Sequence, residues 1–75
     1  MKRMTLEEVK SVIQRELDAY EGGAIERLFE EKGLTLNDAR QARRILNGER
    51  ENPGIETVNR ILRALGYEAY ISKEF

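Results

Sequence analysis

The chain lacks several residue types that usually carry catalysis. It contains no cysteine, which excludes disulfides, thiolate metal sites and cysteine nucleophiles. It contains no histidine, so the commonest general base near neutral pH and the commonest zinc ligand are also missing. The acidic pairs that remain lie among lysines and arginines, as they do on solvated surfaces. We therefore expect a protein that is not an enzyme and that uses no cofactor or metal.

Long apolar runs are also absent. No stretch approaches the roughly 20 apolar residues of a membrane-spanning helix. The basic start, Met1 to Arg3, leads into Glu7 and Glu8 rather than into the apolar core of a secretory signal. A chain of 75 residues suffices for one domain with a modest core. We predict a single cytoplasmic domain over residues 1–75, with no membrane partner.

Positive charge is concentrated in the middle of the chain, although the whole chain has a net charge of -1. Residues 1–34 hold 6 basic and 8 acidic side chains, whereas residues 35–66 hold 6 basic and 4 acidic ones. Residues 67–75 hold 1 basic and 2 acidic side chains. The basic residues of the middle segment are all arginines: Arg40, Arg43, Arg44, Arg50, Arg60 and Arg63. The planar fork of donors on arginine matches phosphate oxygens and the edge of guanine. This segment is therefore the candidate for nucleic-acid binding.

Apolar residues recur at steps of three and four along most of the chain, which is the spacing of one helix face. The four stripes are Leu6, Val9, Ile13, Leu17 and Tyr20; Ala24, Ile25, Leu28 and Phe29; Ala39, Ala42 and Leu46; and Ile55, Val58, Ile61, Leu62 and Leu65. Thr5 followed by Glu8 predicts a capping box at the start of the first helix. Thr35 or Asn37 would cap the third helix, and a glycine follows each stripe. The predicted fold class is mainly α, a small four-helix domain.

The last nine residues change to a period of two, which indicates a short C-terminal β-strand. Tyr67, Ala69 and Ile71 alternate with Glu68, Tyr70 and Ser72. The chain offers this strand no evident partner, so it either frays or pairs with a second copy across a two-fold axis. Aromatic residues favour an ordered strand, because Tyr67, Tyr70 and Phe75 are costly to leave in water. We predict dimerisation through Tyr67, Ala69, Tyr70 and Ile71.

The outward face of the predicted third helix carries side chains of the types that read DNA bases. On a helical wheel this face gathers Asn37, Arg40, Gln41, Arg44 and Asn47, opposite the apolar stripe. In a major groove, asparagine and glutamine hydrogen-bond adenine in two places, and arginine does so with guanine. We predict base readout by Asn37, Arg40, Gln41 and Arg44. The alternative is an ordinary solvated face, since 36% of the chain is charged.

The stretch from Arg44 to Gly66 resembles a known family. It contains Leu46-Asn47-Gly48-Glu49, then Asn52-Pro53, and finally Ala64-Leu65-Gly66. These segments are similar to the Cro/CI-type (XRE) helix-turn-helix proteins, in particular the small antitoxins of the HigA and addiction-module-antidote kind. In that family a recognition helix ends in Leu-(Ser/Asn)-Gly-(Glu/Lys)-x-Asn-Pro, and the next helix ends in Ala-Leu-Gly. The resemblance covers roughly residues 24–71.

The resemblance implies a helix-turn-helix unit and the helix that follows it within residues 24–66. An N-terminal helix within residues 1–22 precedes this unit, and the strand and tail of residues 67–75 follow it. It implies a positioning helix at residues 24–32, a turn at 33–36 and a recognition helix at 37–47. Phosphate contacts are implied at Asn47, Arg50 and Asn52, and we add Thr35, Arg43, Arg60 and Arg63. The span between Gly33 and Gly48 is about one helical turn longer than the family pattern. Either the turn or the third helix must therefore be longer here.

The function that the resemblance implies is sequence-specific binding of double-stranded operator DNA by a homodimeric transcriptional repressor. In the antitoxin interpretation, the protein belongs to a toxin-antitoxin system, represses its own operon and binds a cognate toxin protein. Two alternatives stay open. One is a phage repressor of the Cro/CI type, and the other is a protein-interaction module that uses the helix-turn-helix scaffold without binding DNA.

Overall fold

The protein is described from a computed structural model that covers residues 2–49 and 54–72. Its elements, in chain order, are β1 (Lys2–Arg3), α1 (Leu6–Ala19), α2 (Ile25–Glu31), α3 (Leu36–Leu46), α4 (Ile55–Ala64) and β2 (Ala69–Tyr70). The prediction of a mainly α fold with four helices and a short C-terminal strand is confirmed. Within these residues, no helix combines the length and the apolar character needed to cross a membrane.

The start of α1 follows the predicted capping box. The Thr5 hydroxyl oxygen accepts a hydrogen bond from the Glu8 amide at 3.2 Å, and the Glu8 carboxylate accepts one from the Thr5 amide at 3.1 Å. Two amides at the helix start, which have no partner within the helix, are thereby satisfied. The apolar face of α1 then turns inward, with Val9, Val12 and Ile13 fully packed.

A four-residue turn, residues 32–35, joins α2 to α3. Gly33 lies in this turn with φ of 80°, a left-handed conformation that glycine adopts without steric cost. Thr35 caps α3, whereas Asn37 lies inside the helix, so Asn37 is wrong as the alternative cap. The turn is short, and α3 after it has 11 residues, beginning one residue earlier than the helix predicted at 37–47.

The core lies between the four helices, and Phe29 of α2 is its largest fully buried side chain. The apolar stripes contribute as predicted, with two differences on α2 and α3. Ile45 is fully buried while Leu46 is half-buried, because the inward direction of α3 falls between Ala42 and Ile45 rather than toward Leu46. Ala24 is exposed, since it precedes α2 as its N-terminal cap residue.

The C-terminal strand exists, and the expectation that it lacks a partner within its own chain is wrong. β2 pairs with β1 in parallel, with Lys2 opposite Ala69. The Lys2 amide donates to the Glu68 carbonyl at 3.1 Å, and the Met4 amide donates to the Tyr70 carbonyl at 2.7 Å. The strand therefore has a partner within its own chain.

Ile71, directly after β2, is hydrogen-bonded to Asn59 of α4. The Asn59 side chain accepts a hydrogen bond from the Ile71 amide at 2.8 Å and donates one to the Ile71 carbonyl at 3.5 Å. Ala69 and Ile71 are buried in the core of the same chain. Dimerisation through these residues stays a prediction, although their buried side chains leave little surface for contact with a second copy.

Candidate nucleic-acid interface

The outward face of α3 presents two arginines one helical turn apart. Arg40 and Arg44 are exposed, and within residues 2–49 and 54–72 neither forms an ion pair. Residues four apart on a helix lie about 6 Å apart along its axis, so the two guanidinium groups follow one ridge. The exposed Asn37 lies beside this ridge, and Gln41 lies at its edge, half-buried. The structure thus brings the four predicted base-reading residues onto one helix, with Gln41 the least accessible.

The same ridge begins with an apolar side chain that sequence reasoning did not single out. Leu36 is the first residue of α3, and it is 55% exposed. Among the described residues it is the one large hydrophobic side chain that is exposed to this degree. Helical periodicity could have found it, because Leu36, Arg40 and Arg44 are separated by steps of four.

The N-terminus of α3 is fixed by Asp38, a buried carboxylate that is 1% exposed. The Asp38 amide donates to the Thr35 hydroxyl oxygen at 3.2 Å, while the Thr35 amide donates to an Asp38 carboxylate oxygen at 3.1 Å. This is a second capping box, with aspartate in the position that glutamate or glutamine usually takes. It satisfies two amides at the start of the candidate recognition helix.

Arg60 of α4 completes the coordination of Asp38. Its Nη2 atom donates to one carboxylate oxygen at 2.6 Å, and its Nε atom donates to the other at 3.4 Å. These bonds, together with the bonds from Thr35, hold the pKa of Asp38 below its usual value, against the opposing effect of burial. The ion pair attaches the first turn of α3 to α4, and its charges compensate each other.

A second ion pair joins α3 to α2. Nη2 of Arg43 lies 2.7 and 2.8 Å from the two carboxylate oxygens of Glu26. The hydrogen bond from Arg43 holds the pKa of Glu26 below its usual value. Both side chains are partly solvated, so water and salt screen the attraction between them.

These two ion pairs change the interpretation of the predicted phosphate contacts. Arg43 and Arg60 each face a carboxylate of their own chain, so neither presents an unopposed positive charge. The Thr35 hydroxyl oxygen is already engaged in the cap of α3. Arg50 and Asn52 lie outside the described residues.

Two other predicted phosphate contacts are exposed. Arg63 lies on α4, and within the described ranges it forms no ion pair. Asn47, directly after α3, donates a side-chain hydrogen bond to Glu49 at 3.3 Å. Arg63 is therefore the predicted phosphate contact whose charge is least compensated by the part of the chain that the structure describes.

The tyrosines assigned to dimerisation have different surroundings. Tyr67 is half-buried, and its hydroxyl accepts a hydrogen bond from Arg15 of α1 at 2.9 Å. The Arg15 guanidinium also lies 5.9 Å from the centre of the Tyr67 ring, within the range of a cation–π contact. Tyr70 is half-buried. Phe75 lies outside the described residues.

Comparison with known proteins identifies no relative of this chain. No protein-family model, no curated protein and no solved structure matches it. Within residues 2–49 and 54–72, no group of three or more acidic side chains is arranged to hold a metal ion. What the site does must therefore be argued from its own residues.

Proposed function

We propose that this protein is a sequence-specific DNA-binding repressor whose α3 enters the major groove. The observation that carries the proposal is the pair of exposed arginines, Arg40 and Arg44, on the outward face of α3. Their helix follows α2 through a short turn with Gly33 at positive φ, as the recognition helix does in a helix-turn-helix unit. The opposite face of α3 is packed in the core, so the arginines are held on a fixed support.

In the proposed complex, side chains of α3 read base edges and side chains around it bind phosphates. Arg40 and Arg44 would each donate two hydrogen bonds to O6 and N7 of guanine, and Asn37 would bind N6 and N7 of adenine. Phosphate contacts would set the position of α3 in the groove. Among the predicted phosphate contacts we assign this role to Arg63, because it is exposed and carries no paired carboxylate within the described chain.

The test is selection of DNA from a random pool by the full chain, followed by fluorescence anisotropy on the enriched sequence and a scrambled control at several salt concentrations. We expect one enriched motif, with affinity that falls steeply as salt rises because phosphate binding releases counterions. Binding to both DNAs with the same weak affinity, or no enrichment at all, would reject the proposal.

Arginine variants test which helix reads the motif. Arg40→Ala or Arg44→Ala should weaken binding to the enriched sequence by about 5 to 150-fold, corresponding to the loss of a two-bond guanine contact of about 1–3 kcal/mol, and should relax the base preference at one position. The matched control is Lys10→Ala, which removes one positive charge from α1. That helix packs against the buried side of α3, so this variant should bind as the unaltered protein does. Unchanged affinity and base preference in both arginine variants would exclude α3 as the reader.

The biological setting that we propose is the cytoplasm, in a toxin-antitoxin system whose operon the protein represses. It is supported by the resemblance in residues 44–66 and by the acidic N-terminal segment, with 8 acidic and 6 basic side chains in residues 1–34, which would suit a basic toxin. If a neighbouring reading frame encodes a small basic protein, that protein should co-purify with this chain when both are expressed. A divergent repressor gene in that place would instead favour the phage-repressor interpretation.

A protein-interaction module that does not bind DNA is the second candidate. It is favoured by the two ion pairs of Arg43 with Glu26 and of Arg60 with Asp38, because these pairs reduce the positive charge around α3. The DNA selection described above separates the two candidates. Without an enriched motif, a search for a protein that binds the α3 face would follow.

A further inference from the structure

Leu36 is poorly explained by the packing of the protein itself. Leu34, two residues earlier, is buried in the core, whereas Leu36 is 55% exposed and lies outside the core cluster. It does not cap α3 either, because Thr35 and Asp38 do so. A large apolar side chain at this position therefore adds little to the stability of the described fold.

The chemistry of the major groove limits what an apolar side chain can contact there. Leucine can neither hydrogen-bond the polar groups of the base edges nor pair with the charged phosphates. The C5 methyl of thymine, however, is an apolar group exposed in the major groove. The first residues of a recognition helix are those that contact base edges in helix-turn-helix complexes. Leu36 is the first residue of α3.

We propose that Leu36 selects thymine in the operator by packing against its C5 methyl group. This inference rests on the proposed DNA-binding function and adds a base that the polar residues of α3 would not choose. Leu36 and Arg40 are four residues apart, which corresponds to about 6 Å along the helix axis, or about two base-pair steps of 3.4 Å. Each half-site should therefore contain a thymine and a guanine about two base pairs apart.

The experiment starts from the DNA sequence enriched by the full chain. The thymine nearest the guanine that Arg40→Ala relaxes is replaced by uracil, which removes only the C5 methyl. We expect affinity to fall about four-fold, the effect of losing one methyl from an apolar contact at about 0.8 kcal/mol per carbon. Leu36→Ala should weaken binding to the thymine operator by at least this factor.

The combination of both changes tests the contact directly. In Leu36→Ala, the exchange of thymine for uracil should have little further effect, because the methyl has lost its partner. Circular dichroism of Leu36→Ala checks that the fold is retained, and uracil at a thymine outside the half-sites serves as the DNA control.

Three outcomes are distinguishable. An enriched motif with a uracil effect that Leu36→Ala abolishes would support the contact. An enriched motif with no uracil effect, or with an equal effect in both proteins, would overturn the inference about Leu36 and leave the proposed function standing. The absence of any enriched motif would overturn the proposed function itself, and the inference with it.

Discussion

Asp38 is the one buried charged side chain among the described residues. Burial of a carboxylate is costly unless its oxygens are hydrogen-bonded and its charge is balanced. Here the Thr35 amide and the Arg60 guanidinium donate hydrogen bonds to the carboxylate oxygens, and the guanidinium also balances the charge. The residue thus has two tasks, since it caps α3 and also anchors the start of that helix to α4.

We expect Asp38→Asn to lower the free energy of unfolding by about 1–3 kcal/mol. Asparagine can still accept a hydrogen bond from the Thr35 amide, but it lacks the charge that Arg60 requires. The loss stays below that of a fully buried pair because the Arg60 side chain is 50% exposed and can be rehydrated. Urea unfolding would measure it. The matched control, Asp18→Asn on the exposed face of α1, should change stability by less than about 0.5 kcal/mol, and equal stabilities of the two variants would contradict the anchoring role.

The same carboxylate makes stability depend on pH. Because the folded-state pKa of Asp38 is lowered, its contribution is fully present above the unfolded value near 3.9 and is lost as pH falls through the folded value. We therefore expect a steeper loss of stability in acid for the unaltered protein than for Asp38→Asn. Parallel curves from about pH 6 to pH 2 would show that Asp38 is not the group responsible.

Sequence reasoning at this scale succeeded for local patterns and failed for distant ones. The position of Thr35 before an apolar stripe predicts that it caps α3, and this is a local signal. Asp38 was missed because its partner Arg60 lies 22 residues away, and no periodicity connects them. Leu36 falls in the turn predicted at residues 33–36, whereas α3 begins there, so a helical wheel of the predicted helix leaves it out.

At the scale of elements, the helices were predictable and one strand was not. Apolar spacing and glycines place all four helices within a few residues of their observed bounds. β1 has only two residues, Lys2 and Arg3, both exposed, so it lacks the alternation that signals a strand. The pairing of β2 could not be assigned without it.

Asn59 controls the attachment of β2 to α4 through its two hydrogen bonds to Ile71. We expect Asn59→Ala to speed amide hydrogen exchange at Ile71 by about five-fold, the effect of a hydrogen bond contributing about 1 kcal/mol. Exchange at Met4 should also become faster, since its amide donates to the Tyr70 carbonyl across the β1–β2 pair.

Asn59→Asp provides the matched control for this experiment. Aspartate keeps an oxygen that accepts from the Ile71 amide, but it replaces the longer bond to the carbonyl with a repulsive contact between two oxygens. Its exchange rates should lie closer to those of the unaltered protein. If Asn59→Ala exchanged as slowly as the unaltered protein, the side chain would not be what holds the strand.

At the scale of the whole molecule, the dimer remains a prediction, but no unpaired strand requires it. β2 pairs within the chain, and Ala69 and Ile71 are buried there. What still favours two copies is the geometry of helix-turn-helix binding, in which paired recognition helices occupy successive major grooves about 34 Å apart. Tyr67 and Tyr70, both half-buried, are the assigned contacts that remain accessible in part.

We expect two protomers on each operator and an enriched motif that forms an inverted repeat. Light scattering of the complex would give the stoichiometry from the protomer mass of 8.7 kDa. Half-sites separated by 10 to 10.5 base pairs from centre to centre would agree with the two-fold arrangement. One protomer on a single asymmetric site would contradict it.

The distribution of charge over the molecule could be predicted only in part. The arginine-rich middle segment stands out in the sequence, and Arg40 and Arg44 are exposed as expected. The charge of Arg43 is compensated by Glu26 and that of Arg60 by Asp38, and each of these ion pairs joins two separate helices. Such pairs depend on how helices pack, which the net charge of a segment does not reveal.

The pairing of Lys2 with Ala69 has a consequence for the order in which the chain folds. Contacts between residues so far apart in sequence require closure of a long loop, whereas the helices and the α2–α3 turn form from neighbours. We expect the strand pair to join after the helices have packed, beyond the transition state. Loss of the Asn59 contact would then accelerate unfolding and leave the folding rate nearly unchanged, so this small sheet acts on the lifetime of the folded protein.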